Sequence, residues 1–137
     1  MKVLVDTNVL LDVIQERQPF EEFALRIWKL VEEKQLQGCV SGISFNNIFY
    51  VARKQVGTEG AMEALRGVRQ TFEFVSIDAY VIDRALASKP GDFEDAIQAA
   101  AAVAAQADLI VTRNKRDFGR YGVTALTPEE TLALLEP

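Results

Sequence analysis

The 137-residue chain is 49% hydrophobic and 26% charged, so it has enough apolar side chains for the core of one domain over residues 1–137 and is not a disordered chain. It has no histidine, which excludes a serine–histidine–aspartate triad, a histidine base and histidine-bound zinc. The net charge of −5 is a weak argument against a nucleic-acid partner, because a local positive surface is enough for binding.

The single cysteine, Cys39, excludes an internal disulfide and a thiolate zinc site, and it favours a reducing, cytoplasmic location. The chain has nothing close to the roughly 18 uncharged apolar residues of a membrane span, so we expect no membrane partner. Any catalysis must then come from carboxylates, amides, hydroxyls, Lys, Arg or the lone thiol. Carboxylates select hard cations such as Mg²⁺ and Mn²⁺.

Short apolar strands and amphipathic helices alternate from the start of the chain. The apolar run at residues 3–5 predicts a buried strand, and the apolar residues of 9–14 suit a first helix. A second helix is predicted to begin at Pro19 and to end at Gly38, with a second strand beginning at Cys39.

The middle and the end of the chain continue this alternation. The next predicted elements are a helix over residues 44–55, a break at Gly57, a helix capped by Thr58 and ending near Gln70, a strand over 72–77, and a helix capped by Asp78 and ending at Ala87. A break at Pro90 and Gly91 then precedes an alanine-rich helix over 92–106, strands over 109–111 and 123–125, and a short helix capped by Thr127.

This order of elements predicts an α/β fold, a three-layer sandwich with a central parallel sheet and helices on both faces. In such sheets, ligand sites form beyond the carboxyl ends of the strands, at a topological switch point. Asp6 directly follows the first strand, and residues 112–117 directly follow the strand at 109–111. We therefore expect both segments to open onto one crevice.

Four acidic residues carry the functional argument: Asp6, the pair Asp92 and Asp95 one helical turn apart, and Asp117. Cleavage of a phosphodiester needs a polarised phosphoryl oxygen, an activated water and a stabilised leaving oxygen. One or two divalent ions held by several carboxylates can supply all three. If these carboxylates converge, their mutual repulsion also favours a bound cation.

Each acid also has a purely structural interpretation. Asp6 could cap the first helix, and Asp117 could be a turn residue. Asp92 and Asp95 could be an N-cap and a first-turn acid favoured by the helix dipole, and for Asp92 the cap is the better interpretation.

The polar neighbours of these acids have two interpretations as well. Thr7 and Thr112 could orient a metal-bound water or act as caps, while Asn8 and Asn114 are either turn residues or hydrogen-bond partners of a ligand carboxylate. The loop after the predicted fourth strand carries four positive charges in eight residues: Arg113, Lys115, Arg116 and Arg120. It would attract an anionic substrate, with Arg113, Lys115 and Arg116 as RNA-binding candidates, unless it is simply a solvated loop.

Three segments resemble the ordered motifs of PIN domains across essentially the whole chain: residues 3–8, 92–98 and 108–118. The resemblance implies a sheet of about five parallel strands and a Mg²⁺- or Mn²⁺-dependent ribonuclease. It implies Asp6, Asp95 and Asp117 as the metal ligands and catalytic residues. Short bacterial members are often VapC-like toxins, which are usually dimeric and are inhibited by a small antitoxin protein.

The sequence departs from the family at two positions. The family commonly has a glutamate on its third helix, where this chain has Asn47, as in a branch of PIN-like proteins. Asn114 likewise stands where many relatives have an acid. An amide oxygen can still ligate or support a ligand but adds no charge, so we expect weaker metal binding.

Two alternatives to a ribonuclease follow from the same residues. Asn47 favours a degenerate PIN-like module that binds RNA or a protein partner without cleaving. A phosphotransfer enzyme with Asp6 as nucleophile, similar to haloacid-dehalogenase-like phosphatases, would usually carry a second acid two residues later, where this chain has Asn8. We therefore rank the phosphotransfer hypothesis low.

Overall fold

A single parallel sheet of five strands is formed in the computed structural model, which describes residues 1–88 and 91–136. The strands are β1 (Lys2–Val5), β2 (Gln37–Ser41), β3 (Glu73–Val75), β4 (Leu109–Val111) and β5 (Ala125–Leu126). Their order in the sheet is β3-β2-β1-β4-β5, and every neighbouring pair is parallel. The predicted fold class is confirmed.

Helices cover both faces of this sheet. They are α1 (Thr7–Ile14), α2 (Glu21–Glu32), α3 (Gly42–Thr71), α4 (Ala79–Ala87), α5 (Phe93–Ala104) and α6 (Pro128–Leu135), with a 3-10 helix at Lys115–Tyr121. Successive strand side chains point to opposite faces, so Val3 and Val5 pack with α1, α2, α3 and α6, whereas Leu4 packs with α4 and α5. Within the described part of the chain, no helix has both the length and the apolarity to cross a membrane.

The predicted caps at Asp78 and Thr127 and the predicted break at Gly57 are confirmed, whereas the predicted cap at Thr58 stays a prediction. The Asp78 carboxylate accepts a hydrogen bond from the Val81 amide at 3.0 Å, and Thr127 forms a reciprocal capping box with Glu130. The two helices predicted on either side of Gly57 form the single element α3, which is kinked at Gly57 because this residue has a φ of 75°. That conformation costs glycine far less than other residues.

The boundaries differ from prediction at several positions. Gly38 does not end a helix: α2 ends at Glu32, and Gly38 lies inside β2. A β-carbon at Gly38 would lie 2.6 Å from Cγ2 of Val31, so glycine is needed here for the close packing of α2 on the strand.

The remaining differences are short shifts. Helix α2 begins at Glu21 instead of Pro19, and β3 is shorter than the strand predicted over residues 72–77. The last strand is at 125–126 instead of 123–125, although the Thr124 carbonyl still accepts a hydrogen bond from Ile110 in β4. The predicted break at Pro90 lies outside the described residues.

Candidate active site

The topological switch point of the sheet lies between β1 and β4, and the candidate site is located there. From β1 the chain adds β2 and β3 on one side, and it then crosses to place β4 on the other side. The Asp6 amide donates to the Val111 carbonyl at 2.9 Å, which joins the carboxyl ends of the two central strands. Parallel α/β sheets form ligand crevices at such a point.

A cavity of about 510 Å³ opens at this edge of the sheet. Its lining residues are Asp6, Thr7, Asn8, Leu11, Arg17, Asn47, Tyr50, Val51, Asp92, Glu94, Asp95, Asn114 and Asp117. The structure thus brings together Asp6, Asp95 and Asp117, which come from three distant segments of the chain. It also brings the predicted supporting residues to the same cavity, except Thr112, which is buried behind Asp6.

Asp6 is buried and is held by hydrogen-bond donors on both of its carboxylate oxygens. Oδ1 accepts from the Thr7 amide at 2.8 Å, and Oδ2 accepts from the Thr112 hydroxyl at 2.8 Å. Burial raises the pKa of Asp6, whereas the hydrogen bonds from Thr112, Thr7 and Gln98 act in the opposite direction. Asp6 therefore both caps α1 and lines the cavity, so the two interpretations of this residue are compatible.

Asp95 carries the clearest electrostatic sign of convergence. The pKa of Asp95 is raised to about 7. Partial burial is the largest cause, and the charges of the surrounding acids contribute in the order Asp92, Asp6, Asp117 and Glu94. Acids from three separate segments therefore act on a single carboxyl group. Perturbation of this kind by burial and specific charges is typical of functional sites, although ion-pair networks can also cause it.

In metal-free buffer, the free energy of unfolding is expected to fall as the pH rises from about 4 to about 7. The pKa of Asp95 is about 7 in the folded state against an ordinary 3.8, so the folded state binds more protons in this range than the unfolded state does. Because Asp95 is partly exposed to solvent, we expect a loss of only about 1–2 kcal/mol.

Urea unfolding at pH 5 and pH 8 in the presence of a chelator measures this loss. The Asp95→Asn variant serves as the control, since it removes the titrating group while keeping the side-chain shape. A wild-type stability that does not fall relative to this variant would contradict the raised pKa.

At the start of α5, Asp92 has the role that the sequence predicted, whereas Glu94 was not predicted as a site residue. The Asp92 carboxylate accepts a hydrogen bond from the Asp95 amide at 3.2 Å, so its predicted role as the helix cap is confirmed. Glu94 lines the cavity, and its Oε1 lies 3.4 Å from the Thr7 hydroxyl. Its position between two candidate acids was the available signal.

The donor set of the cavity fits a hard dication by its chemistry. Carboxylate and amide oxygens dominate the polar lining, and Mg²⁺ and Mn²⁺ prefer such ligands. Among residues 1–88 and 91–136, however, no three acidic, histidine or cysteine side chains are already arranged to hold an ion. The carboxylates surround the cavity without closing on one point.

Arg113, which was predicted to bind RNA, is partly buried and forms an ion pair with Asp12. Its Nε and one terminal nitrogen donate to the fully buried carboxylate of Asp12 at 2.6 and 3.1 Å, and its guanidinium lies 4.0 Å from the Phe20 ring centre. Arg113 is not among the residues that line the acidic cavity. The ion pair with Asp12 gives Arg113 a structural role, and its contact with RNA stays a prediction.

The other two basic candidates remain at the surface. Lys115 forms an exposed ion pair with Glu130 at 2.6 Å, and Arg116 is exposed and forms no ion pair within the described parts of the chain. Arg17, which the sequence did not single out, lines the cavity. Its position beside the acidic residues adds a positive charge to the cavity wall.

The predicted polar neighbours mainly shape the loop after β4. The Asn8 side chain accepts from the Arg113 amide at 3.4 Å, and the Thr112 hydroxyl accepts from the Asn114 amide at 3.0 Å. Asn47 lies on α3 and lines the cavity, at the position where the family commonly has a glutamate. Asp12 and Gln98 were not predicted as site residues, although each is a polar residue in an otherwise apolar stretch of helix.

The fold is a parallel α/β sandwich, and an acidic cavity lies at its switch point. The family model described as "PIN domain" matches residues 2–116, and the chain belongs to this family. A comparison with curated protein sequences finds no match.

Solved structures with the same fold cover nearly the whole chain. A chain of the toxin–antitoxin complex from Klebsiella pneumoniae is 27% identical with a TM-score of 0.69, and the alignment covers 92% of this chain and 97% of that one. VapBC2 from Rickettsia felis, bound to a promoter DNA fragment, is 18% identical with a TM-score of 0.71 over 93% and 98%. VapC20 from Mycobacterium tuberculosis, a sarcin–ricin loop cleaving toxin, is 15% identical with a TM-score of 0.69 over 89% and 96%.

Proposed function

We propose that this chain is a metal-dependent endoribonuclease that hydrolyses RNA phosphodiesters. One observation carries the proposal: Asp6, Asp95 and Asp117 line one cavity at the switch point, and the neighbouring acids raise the pKa of Asp95. Such a cluster of acids is stabilised by a hard dication, and dications are the usual catalysts of phosphodiester hydrolysis. Membership of the PIN domain family supports the same reaction.

In this proposal, Asp6 and Asp95 are the main ligands of Mg²⁺ or Mn²⁺, and Asp117 binds a second ion directly or through water. When bound there, the ion would supply Lewis acidity to the scissile phosphate and to the attacking water. Asn47 and Asn114 line the same cavity as neutral oxygen donors. We propose that Asn47 marks a branch of the family that lacks the third-helix glutamate.

The surrounding residues orient this constellation. Thr7 and Thr112 hold the Asp6 carboxylate through the Thr7 amide and the Thr112 hydroxyl, and the Asn8 side chain binds the backbone of the loop after β4. The 3-10 helix that carries Asp117 also carries Lys115 and Arg116, and Arg113 lies shortly before it, so these three basic residues are the candidates for contacts with RNA phosphates. Arg17 on the cavity wall is a further candidate.

We further propose that the protein is the toxin of a toxin–antitoxin pair, acts as a homodimer in the cytoplasm and is inhibited by a small antitoxin protein. The likeness to the Klebsiella pneumoniae toxin–antitoxin complex, at 27% identity over 92% of this chain, supports the toxin–antitoxin part of this proposal. A short reading frame beside the gene, whose product co-purifies with this chain and suppresses its activity, is the expected finding.

The test of the proposed reaction is cleavage of RNA by the wild type and by Asp95→Asn, in Mn²⁺, in Mg²⁺ and in a chelator. Cleavage only by the wild type and only with metal supports the nuclease. The alternative is a binding module, which Asn47 and the absence of three gathered ligands in the described residues favour. RNA binding that is independent of metal, without cleavage, would decide for that alternative.

A further inference from the structure

Gln98 is a fully buried polar side chain on α5, a helix whose inward face is otherwise formed mostly by alanine. Burial of an amide is costly unless its donors and acceptor are all used. Its Oε1 accepts a hydrogen bond from the hydroxyl of Ser41, at the end of β2, at 2.7 Å. The other end of the amide faces the Asp6 carboxylate, which only accepts, so the nitrogen lies on that side.

The nitrogen of Gln98 faces three oxygens that surround Asp6. Nε2 lies 3.0 Å from the Ser44 hydroxyl, 3.3 Å from Oδ1 of Asp6 and 3.4 Å from the Thr7 hydroxyl. Because an amide nitrogen only donates, Gln98 is the donor in all three contacts, and its two hydrogens are shared among the three oxygens. Gln98 therefore connects α5 to β2, α3 and α1 beneath the cavity floor.

Beyond Gln98, the hydrogen bonds can form one chain in which each hydroxyl donates to the next oxygen. The Ser44 and Thr7 hydroxyls are 2.8 Å apart, and the Thr7 hydroxyl donates to Oε1 of Glu94 at 3.4 Å. Ser44 then donates to Thr7, so the chain that begins at Ser41 ends on a carboxylate at the cavity. Among the described residues, every buried side-chain nitrogen and oxygen has a partner, so the network is complete.

We propose that Gln98 is a positioning residue that fixes the Asp6 carboxylate in the orientation used for metal binding, and that it holds the Glu94 carboxylate at the cavity through Ser44 and Thr7. The inference rests on the proposed function, because it assigns Asp6 to the metal. The physical reason is that outer partners of a ligand restrict its rotation, and their loss typically weakens metal binding about 10–100-fold. No other side-chain donor besides Thr112 reaches Asp6 among the described residues.

The experiment compares Gln98→Met with Thr131→Val. Methionine keeps the length and volume of glutamine and removes the amide. Thr131 is also fully buried, and its hydroxyl donates to the Thr127 carbonyl at 2.8 Å in α6, which does not contribute to the cavity. Thr131→Val is therefore a matched loss of one buried polar group, and urea unfolding of both variants compares their stability.

Two readouts follow, one of them independent of metal. In a chelator, hydrogen exchange of the Thr7 amide, which donates to Oδ1 of Asp6, is expected to be about fivefold faster in Gln98→Met than in Thr131→Val. With Mn²⁺ alone, calorimetric titration is expected to show binding at least about 10-fold weaker than in the wild type. Thr131→Val is expected to bind Mn²⁺ like the wild type.

The outcomes separate the inference from the proposed function. A wild type that does not bind Mn²⁺ sinks the proposed function, and the Thr7 amide then decides alone whether Gln98 positions Asp6. Unchanged Mn²⁺ affinity and unchanged Thr7 exchange in Gln98→Met overturn the positioning role. If Gln98→Met does not fold, Ser41→Ala replaces it, because this variant frees the same amide and should change both readouts in the same direction.

Discussion

The Asp95→Asn variant is expected to cleave RNA more than about 100-fold more slowly than the wild type, since even the loss of an outer partner of a metal ligand costs about 10–100-fold. Asparagine keeps the shape of the side chain and removes one anionic oxygen. It also removes one of the negative charges that, together with those of Asp6 and Asp117, would attract a dication. Asp6→Asn should be at least as damaging, because the NH₂ group of asparagine would replace a carboxylate oxygen that accepts a hydrogen bond from Thr112 or from Thr7.

Asp83→Asn is the matched control for this experiment. Asp83 is an exposed residue of α4 outside the cavity, and the substitution removes the same charge from the protein. Initial rates of cleavage with Mn²⁺ are to be compared at equal protein concentration. Equal cleavage by wild type, Asp95→Asn and Asp83→Asn would indicate a contaminating nuclease or a different site.

Replacing Arg113 with alanine is expected to lower the free energy of unfolding by about 3–5 kcal/mol, the usual cost of leaving one partner of a buried ion pair unpaired. The Asp12 side chain is fully buried and accepts two hydrogen bonds from Arg113. Arg17 is the remaining cation, and its guanidinium is 3.8 Å away, too far for a hydrogen bond. Arg113→Ala also loses the stacking on Phe20.

Two comparisons make this stability prediction specific. Arg26 and Glu136 form an ion pair whose side chains are both exposed, so Arg26→Ala should cost less than about 1 kcal/mol. Arg113→Lys keeps the charge but not the two-pronged hydrogen bonding, and it should fall between the two alanine variants. Urea midpoints measure all three, and equal midpoints for Arg113→Ala and Arg26→Ala would contradict a structural role for Arg113.

Local sequence signals predicted the parts of the fold that local physics determines. The strand at residues 109–111 and the caps at Asp78, Asp92 and Thr127 were predicted correctly, because apolar runs and capping side chains act within a few residues. The parallel order of the strands followed from their alternation with helices. The meeting of Asp6 with the segment after β4 followed from the switch-point rule.

Contacts between distant segments were beyond the reach of the sequence. The ion pair of Arg113 could not be predicted, because its partner Asp12 is 101 residues away. Gln98 similarly shows no function until β2 and α3 are packed against α5. Gly38 was mistaken for a helix end, because the sequence does not show how closely α2 approaches the strand.

The most direct measurement is anomalous diffraction at the manganese edge from crystals of the wild type grown with Mn²⁺. The account predicts a peak in the cavity at bonding distance from carboxylate oxygens of Asp6 and Asp95, with Asp117 beside the same peak or a second one. Crystals in which Mn²⁺ binds elsewhere, while these three carboxylates remain without an ion, would contradict it.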